Sequence, residues 1–182
     1  MKKLLFIIGS NRQASFNRQL AQVVEEMIAG DVEVDYLDYR KVPFINQDEE
    51  FPTPDIIADV REAVINADGL WIFTPEYNGS YPGLLKNLID WLSRPYKPGA
   101  YSEGTAIANK PVAISGVGGR YATLGAREKL YDLLKAVNAK PLDKHVGIIV
   151  NPEAWGNNQL IISDDDKQRL KSQADAFISS LQ

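Results

Sequence analysis

The chain has 182 residues, 45% of them hydrophobic and 24% charged, with a formal net charge of −4. That balance describes an ordinary globular chain of about one domain's length and lacks the basic excess expected of a nucleic-acid binder. It has no cysteine and a single histidine, His145, which excludes disulfides, thiolate chemistry and a histidine-built metal site within one chain.

Leu4 to Ile8 is a short apolar run that stops at Gly9-Ser10-Asn11-Arg12. It is too short for a signal peptide and carries no small-residue cleavage site, so it reads as a first β-strand and the protein is expected in the cytoplasm. Leu20, Val23, Val24, Met27 and Ile28 then fall at helical spacing, and Gly30-Asp31 closes that helix. Val32 to Asp38 alternates as a strand nearer the sheet edge, and a loop from Lys41 to Pro52 follows. Thr53-Pro54 offers an N-cap and an N1 proline for a helix carrying Ile56, Ile57, Val60, Val64 and Ala67 on one face.

Leu70 to Phe73 is the third strand, with a helix over Pro82 to Leu92 behind it. Pro95 to Lys110 reads as loop. Pro111 to Val117 is the fourth strand, and Leu130, Leu133, Leu134 and Val137 mark the next helix. Val146 to Val150 is the fifth strand. Ser163 before Asp164, Asp165 and Asp166 opens the last helix, since acids favour the positive end of the helix dipole. No run approaches the ~18 apolar residues of a membrane span. Five strands alternating with five helices predict a three-layer α/β/α sandwich. The sheet is expected to be parallel and five-stranded, wound in the flavodoxin-like order 2-1-3-4-5, with residues 1–182 as one domain.

Three strand-to-loop junctions carry the chemistry, because ligands of open α/β sheets bind at the carboxyl ends of the strands. The first, Gly9 to Asn17, gathers helix N-terminal amides, the hydroxyls of Ser10 and Ser15, the Asn17 amide and the Arg12 guanidinium into a nest suited to a phosphate. The competing reading is that Ser15 only caps the helix. Neither G-x-G-x-x-G nor a P-loop signature is present, and the acids of a receiver domain are missing at the end of strand one. The second junction, Thr74 to Ser80, offers Tyr77 as an aromatic surface and the amides of Tyr77, Asn78 and Gly79 to a flat heteroaromatic ring. The third, Ser115 to Arg120, holds Gly116, Gly118 and Gly119, where backbone can approach a ring edge.

These junctions resemble the NAD(P)H-dependent FMN reductases of flavodoxin-like fold, which include quinone, azo-dye and chromate reductases. The resemblance rests on Gly9, Ser10, Arg12, Ser15 and Asn17, on Pro75-Glu76-Tyr77-Asn78, on Leu85-Lys86-Asn87 and Ile89-Asp90-Trp91, and on Pro43 with Asn46-Gln47-Asp48. It implies that Ser10, Arg12, Ser15, Phe16 and Asn17 hold the FMN phosphate. Pro75, Glu76, Tyr77 and Asn78 would line the isoalloxazine, and Ser115, Gly118 and Gly119 would meet its other edge. It also implies a homodimer, or a tetramer built from one, with the flavin near the subunit boundary.

The expected activity is passage of hydride from NAD(P)H through FMN to a quinone, azo compound, free flavin or metal oxyanion. FMN supplies the redox chemistry, so no side chain is assigned as an obligatory acid or base. A flavodoxin-type electron carrier and a flavin-binding redox regulator are the rival readings. The mild net charge disfavours the carrier, whose docking calls for a strongly acidic surface. Arg61, Arg94 and Arg120 are the candidates for the 2′-phosphate of NADPH, against the reading that they are ordinary surface arginines, and the sequence does not choose between NADH and NADPH.

Overall fold

A computed structural model describes residues 1–181. Among the described residues six strands and six α-helices follow one another, alternating as far as β5: β1 (Lys2–Ile8), α1 (Phe16–Met27), β2 (Val32–Tyr36), α2 (Asp55–Asn66), β3 (Gly69–Phe73), α3 (Gly83–Leu92), β4 (Pro111–Gly118), α4 (Leu124–Ala136), β5 (Lys140–Pro141), β6 (Val146–Ile149), α5 (Ala154–Asn157) and α6 (Asp164–Ser180). Every pairing between the strands is parallel, in the order β2-β1-β3-β4-β5, with β6 also on β4. The winding is the expected 2-1-3-4-5.

The central strands are continuous apolar runs because both sheet faces are covered. Their side chains divide by the two-residue period of a strand. Leu4, Phe6, Ile8, Trp71 and Phe73 enter one core with Leu20 and Val24 of α1 and with Leu170 and Phe177 of α6. Leu5, Ile7, Leu70, Ile72, Val112 and Ile114 enter the other, beneath Val60, Leu85, Leu88 and Leu130 of α2, α3 and α4. Three layers follow from that alternation.

The first core also contains a buried polar chain. Trp71 Nε1 donates to Ser115 Oγ at 3.0 Å, and that hydroxyl donates to Gln173 Oε1 at 2.7 Å. Gln173 Nε2 in turn donates to the carbonyls of Ile114 (2.8 Å) and Lys144 (3.0 Å). Each polar atom is satisfied, so α6 is tied to the sheet without leaving an unpaired group in an apolar layer.

The fifth sheet position differs from the expectation. It holds two short strands, β5 against Pro111 and Val112 and β6 against Ser115 to Gly118, rather than Val146 to Val150 alone. Lys140 and Leu142 donate to Lys110 O and Val112 O, so the missing N–H of Pro141 falls on the outer edge of the sheet, and where the pairing breaks off Gln173 takes the Lys144 carbonyl. Two helix starts also shift. Pro54, not Thr53, is the N-cap of α2, and its carbonyl accepts from Ile57 and Ala58; Pro82 is likewise the N-cap of α3. Helix α1 begins four residues before its first periodic apolar position, because the Ser15 hydroxyl accepts the Arg18 N–H and starts it there.

Candidate functional site

The carboxyl ends of β1, β3 and β4 bring the three junctions to one edge of the sheet, at the point where the winding reverses between β1 and β3. Gly9 still belongs to the ladder, its N–H donating to Phe73 O at 2.8 Å. The chain then leaves the sheet through Ser10 to Ala14 and re-enters helix at the Ser15 cap. The cap uses the acceptor capacity of the Ser15 hydroxyl and leaves its donor capacity, so capping and anion binding are compatible there. Arg12 lies with its guanidinium carbon 4.8 Å from the Phe16 ring centroid.

Asn17 is 3% exposed and spends its carboxamide on β4: Nδ2 donates to Val117 O at 3.1 Å, and Oδ1 accepts the Val117 N–H at 2.9 Å. It therefore locks the first turn of α1 to the strand that carries the glycine junction. This double tie sets how the first and third loops face each other.

The second junction is a tight turn. Tyr77 and Ser80 exchange N–H···O bonds of 2.9 and 3.1 Å around Asn78 and Gly79, whose φ angles are +52° and +71°. Two consecutive left-handed residues are the geometry for which Asn-Gly is selected. The closure consumes the Tyr77 N–H, so of the three amides expected to face a ring only those of Asn78 and Gly79 remain. The turn is also braced from α4: Glu76 Oε2 accepts the Ala126 N–H at 3.0 Å, and Lys129 Nζ donates to Gly79 O at 2.7 Å. Glu76 thus fastens the loop through its carboxylate, while the Tyr77 ring is 54% exposed.

At the third junction the glycines serve different ends. A Cβ on Gly116 would sit 2.4 Å from Thr74 O and 2.2 Å from Thr123 Oγ1, so its bareness is required by the chain's own packing. Around a Cβ on Gly119 there is open space, and that residue borders the crevice. Ser115 is fully buried in the Trp71–Gln173 chain, so its side chain lies in the core and does not reach the crevice.

A cavity of about 140 Å³ lies among these loops, lined by Ser10, Arg12, Ser15, Phe16, Asn17, Pro75, Glu76, Tyr77, Gly118 and Gly119, with Val117, Val150 and Trp155. Ligand pockets typically measure ~300–1,000 Å³. A cavity of this size has room for only part of a ligand of the usual range, and the exposed Tyr77 borders it together with Gly119. Ser10 and Arg12 also border a larger cleft, about 680 Å³, between the ends of β1 and β2, where Asp38 pairs with Arg40 at 2.8 Å. The donor set of helix amides, Ser10, Ser15 and Arg12 fits a phosphate monoester, and the exposed turn with two free amides fits a heteroaromatic ring with acceptors.

Trp155 and the segment around Asn158 went unrecognised in the sequence. An isolated Trp between Pro152 and Gly156 carries no periodic signal, and its place beside Phe16 (ring centroids 5.5 Å apart, 87° between planes) is purely tertiary. Of the three arginines considered for a 2′-phosphate, Arg61 is buried and donates to Trp91 O, and Arg94 forms a bidentate pair with Glu50 at 2.8 Å. Only Arg120, stacked 4.4 Å from the Tyr121 ring centroid, stands exposed next to the glycine junction. His145 lies outside the cavity lining, with Nδ1 2.6 Å from Arg127 Nη1. Guanidinium can only donate, so Nδ1 is the acceptor and the imidazole is neutral. Burial lowers its pKa, and the Arg127 charge lowers it further.

A family model described as NADPH-dependent FMN reductase matches residues 2–152. A 2-hydroxy-1,4-benzoquinone reductase from Burkholderia sp. is 31% identical over 177 residues, covering 96% of this chain and 93% of that protein. An NAD(P)H-dependent FMN reductase from Pseudomonas aeruginosa is 32% identical over 173 residues, covering 94% and 90%. Among solved structures, the flavoenzyme NAD(P)H:(acceptor) oxidoreductase FerB from Paracoccus denitrificans superposes with a TM-score of 0.86 at 27% identity, covering 100% of this chain and 97% of that one.

Proposed function

Since the chain belongs to the NADPH-dependent FMN reductase family, we propose that the crevice at the ends of β1, β3 and β4 holds FMN, with its phosphate at Ser10 to Asn17 and its ring against Pro75 to Gly79 and Gly118-Gly119. The protein is an FMN-dependent NAD(P)H oxidoreductase. The observation that carries the site assignment is the cavity itself. It joins a capped helix N-terminus and an arginine at one end to an exposed aromatic turn at the other.

FMN, when bound, accepts hydride from NAD(P)H and passes two electrons to an acceptor. The residues' part is to bind and orient. Arg12 and Ser10 would meet the phosphate with charge-assisted and hydroxyl donors. The Asn78 and Gly79 amides would donate to acceptors of the bound ring, and the ties from Glu76 to Ala126 and from Lys129 to Gly79 hold that turn in place beforehand. Asn17 fixes the distance between the phosphate and glycine loops. The acceptors are small molecules of quinone or flavin type, in keeping with the names of the similar enzymes. No helix among the described residues is long and apolar enough to cross a membrane, and the enzyme is assigned to the cytoplasm as part of this reading.

Because one ring face at the open mouth serves donor and acceptor in turn, initial-rate double-reciprocal plots for NADPH and a quinone should run parallel. Steady-state turnover measured by the loss of NADPH absorbance checks this. Intersecting lines would overturn the single-face arrangement, and absence of turnover by a flavin-loaded protein would overturn the enzyme reading.

We also read the protein as a homodimer, or a tetramer of such dimers. The apolar residues of α3 do not form the interface: Leu88, Trp91 and Leu92 are each 1% exposed and Leu84 is partly buried, all packed within their own chain. The apolar surface lies instead on the loop after β2, where Phe44 is 84% exposed. That loop is immobilised on α3. Pro43 O accepts from Asn87 Nδ2 and Trp91 Nε1 at 2.8 Å, and Asn87 Oδ1 accepts the Ile45 N–H at 2.9 Å. A large aromatic held outward on fixed backbone is what a partner subunit would cover. Light scattering should give about twice the 20.3 kDa chain mass, or four times it, and Phe44→Glu should shift the mass toward the monomer. A wild-type mass near 20.3 kDa at micromolar concentration would refute it.

A further inference from the structure

Beyond β6 the chain forms a closed loop whose ends meet: Asn151 Oδ1 accepts the Ile161 N–H at 2.9 Å. The buried Ala154 and Ile162 anchor it in the core shared with α1 and α6. Its crown lies over the phosphate loop and the start of α1, and several contacts hold it there. Gln19 of α1 grips it twice, Nε2 donating to Asn158 O at 3.0 Å and Oε1 accepting the Leu160 N–H at 2.9 Å. The Trp155 ring meets the Phe16 ring edge-on. Arg12 donates from Nη2 to Asn158 Oδ1.

These contacts fix Arg12 without exhausting it. Phe16 lies against the guanidinium and Asn158 takes a bond from one terminal nitrogen, whereas a guanidinium has five N–H donors. The remaining donors stay available to an anion. The carboxamide is neutral, so it neither repels a phosphate nor competes with it for charge. A long, exposed arginine otherwise loses rotamer freedom each time it grips a ligand, and holding it in advance removes that loss.

We propose that Asn158 is a positioning residue that preorganises Arg12 for the flavin phosphate, and that the loop 151–161 is the outer wall of the phosphate site. The inference rests on the reading that FMN binds with its phosphate at Ser10 to Asn17. Asn158 has φ +59°, so Asn158→Gly removes the carboxamide while keeping the left-handed backbone that an alanine would strain.

The test titrates the flavin-free full chain with FMN and with riboflavin, for the wild type, Asn158→Gly, Arg12→Ala and the double variant. Asn158→Gly should weaken FMN binding about three- to tenfold, leave riboflavin binding unchanged, and have no further effect once Arg12 is alanine. Unchanged riboflavin affinity also shows that the variant retains its site. If Arg12→Ala loses FMN selectively and Asn158→Gly loses nothing, or loses both flavins equally, the positioning role is wrong while the phosphate assignment stands. If Arg12→Ala affects FMN and riboflavin alike, the phosphate assignment fails and the inference falls with it.

Discussion

Replacing Asn17 with Ala should lower folding stability by about 2–6 kcal/mol. The Asn17 carboxamide is the hydrogen-bond partner of both the N–H and the C=O of Val117, inside the core between α1 and β4. Its removal leaves a buried donor and a buried acceptor unpaired, each costing about 1–3 kcal/mol. For a chain of this length that corresponds to a fall in melting temperature of roughly 4–24 °C. Asn17→Asp, which sets a buried carboxylate oxygen against the Val117 carbonyl, should cost at least as much as alanine at neutral pH. Urea denaturation of the flavin-free protein checks both variants. A change under about 1 kcal/mol for Asn17→Ala would mean that the link between the first and third loops is not held by this residue.

Replacing Arg12 with Ala should weaken FMN binding by about 1.5–3 kcal/mol, roughly ten- to a hundredfold, with the fold intact. The side chain is exposed and packs only on Phe16 and Asn158, so little folding energy depends on it. What it offers a phosphate is a full positive charge beside the N-terminus of α1, and charge-assisted bonds of that kind are about twice as strong as neutral ones. Riboflavin, which has no phosphate, should bind the variant and the wild type alike. Because the arginine is exposed to solvent, the difference should also shrink at high salt. Flavin-fluorescence titration at low and high ionic strength measures both effects. Equal losses for the two ligands would place Arg12 away from the phosphate.

The layer architecture and the winding could be read directly from the chain. A continuous apolar run such as Leu70 to Phe73 followed by a helical pattern has few structural solutions, and local periodicity depends only on neighbouring residues. The capping roles of Ser15 and Ser163 were readable for the same reason, since each acts within three positions of itself. The two-residue strand β5 was not. Nothing in Lys140-Pro141 distinguishes it from loop until Pro111 and Val112 lie alongside.

At the site, the sequence by itself identified the three loops and the residue types a phosphate and a flat ring require. It did not determine which atoms remain free to meet them. That was decided by partners far away in the chain: Val117 for Asn17, Ala126 for Glu76, Trp71 and Gln173 for Ser115, and Ser80 for the Tyr77 amide, the one near exception. A side chain's hydrogen-bonding capacity is small and is consumed by whichever partner the fold brings closest. Its type can therefore be known from the sequence, while its availability, like the position of Trp155 and Asn158 over the first loop, exists only once distant segments have packed together.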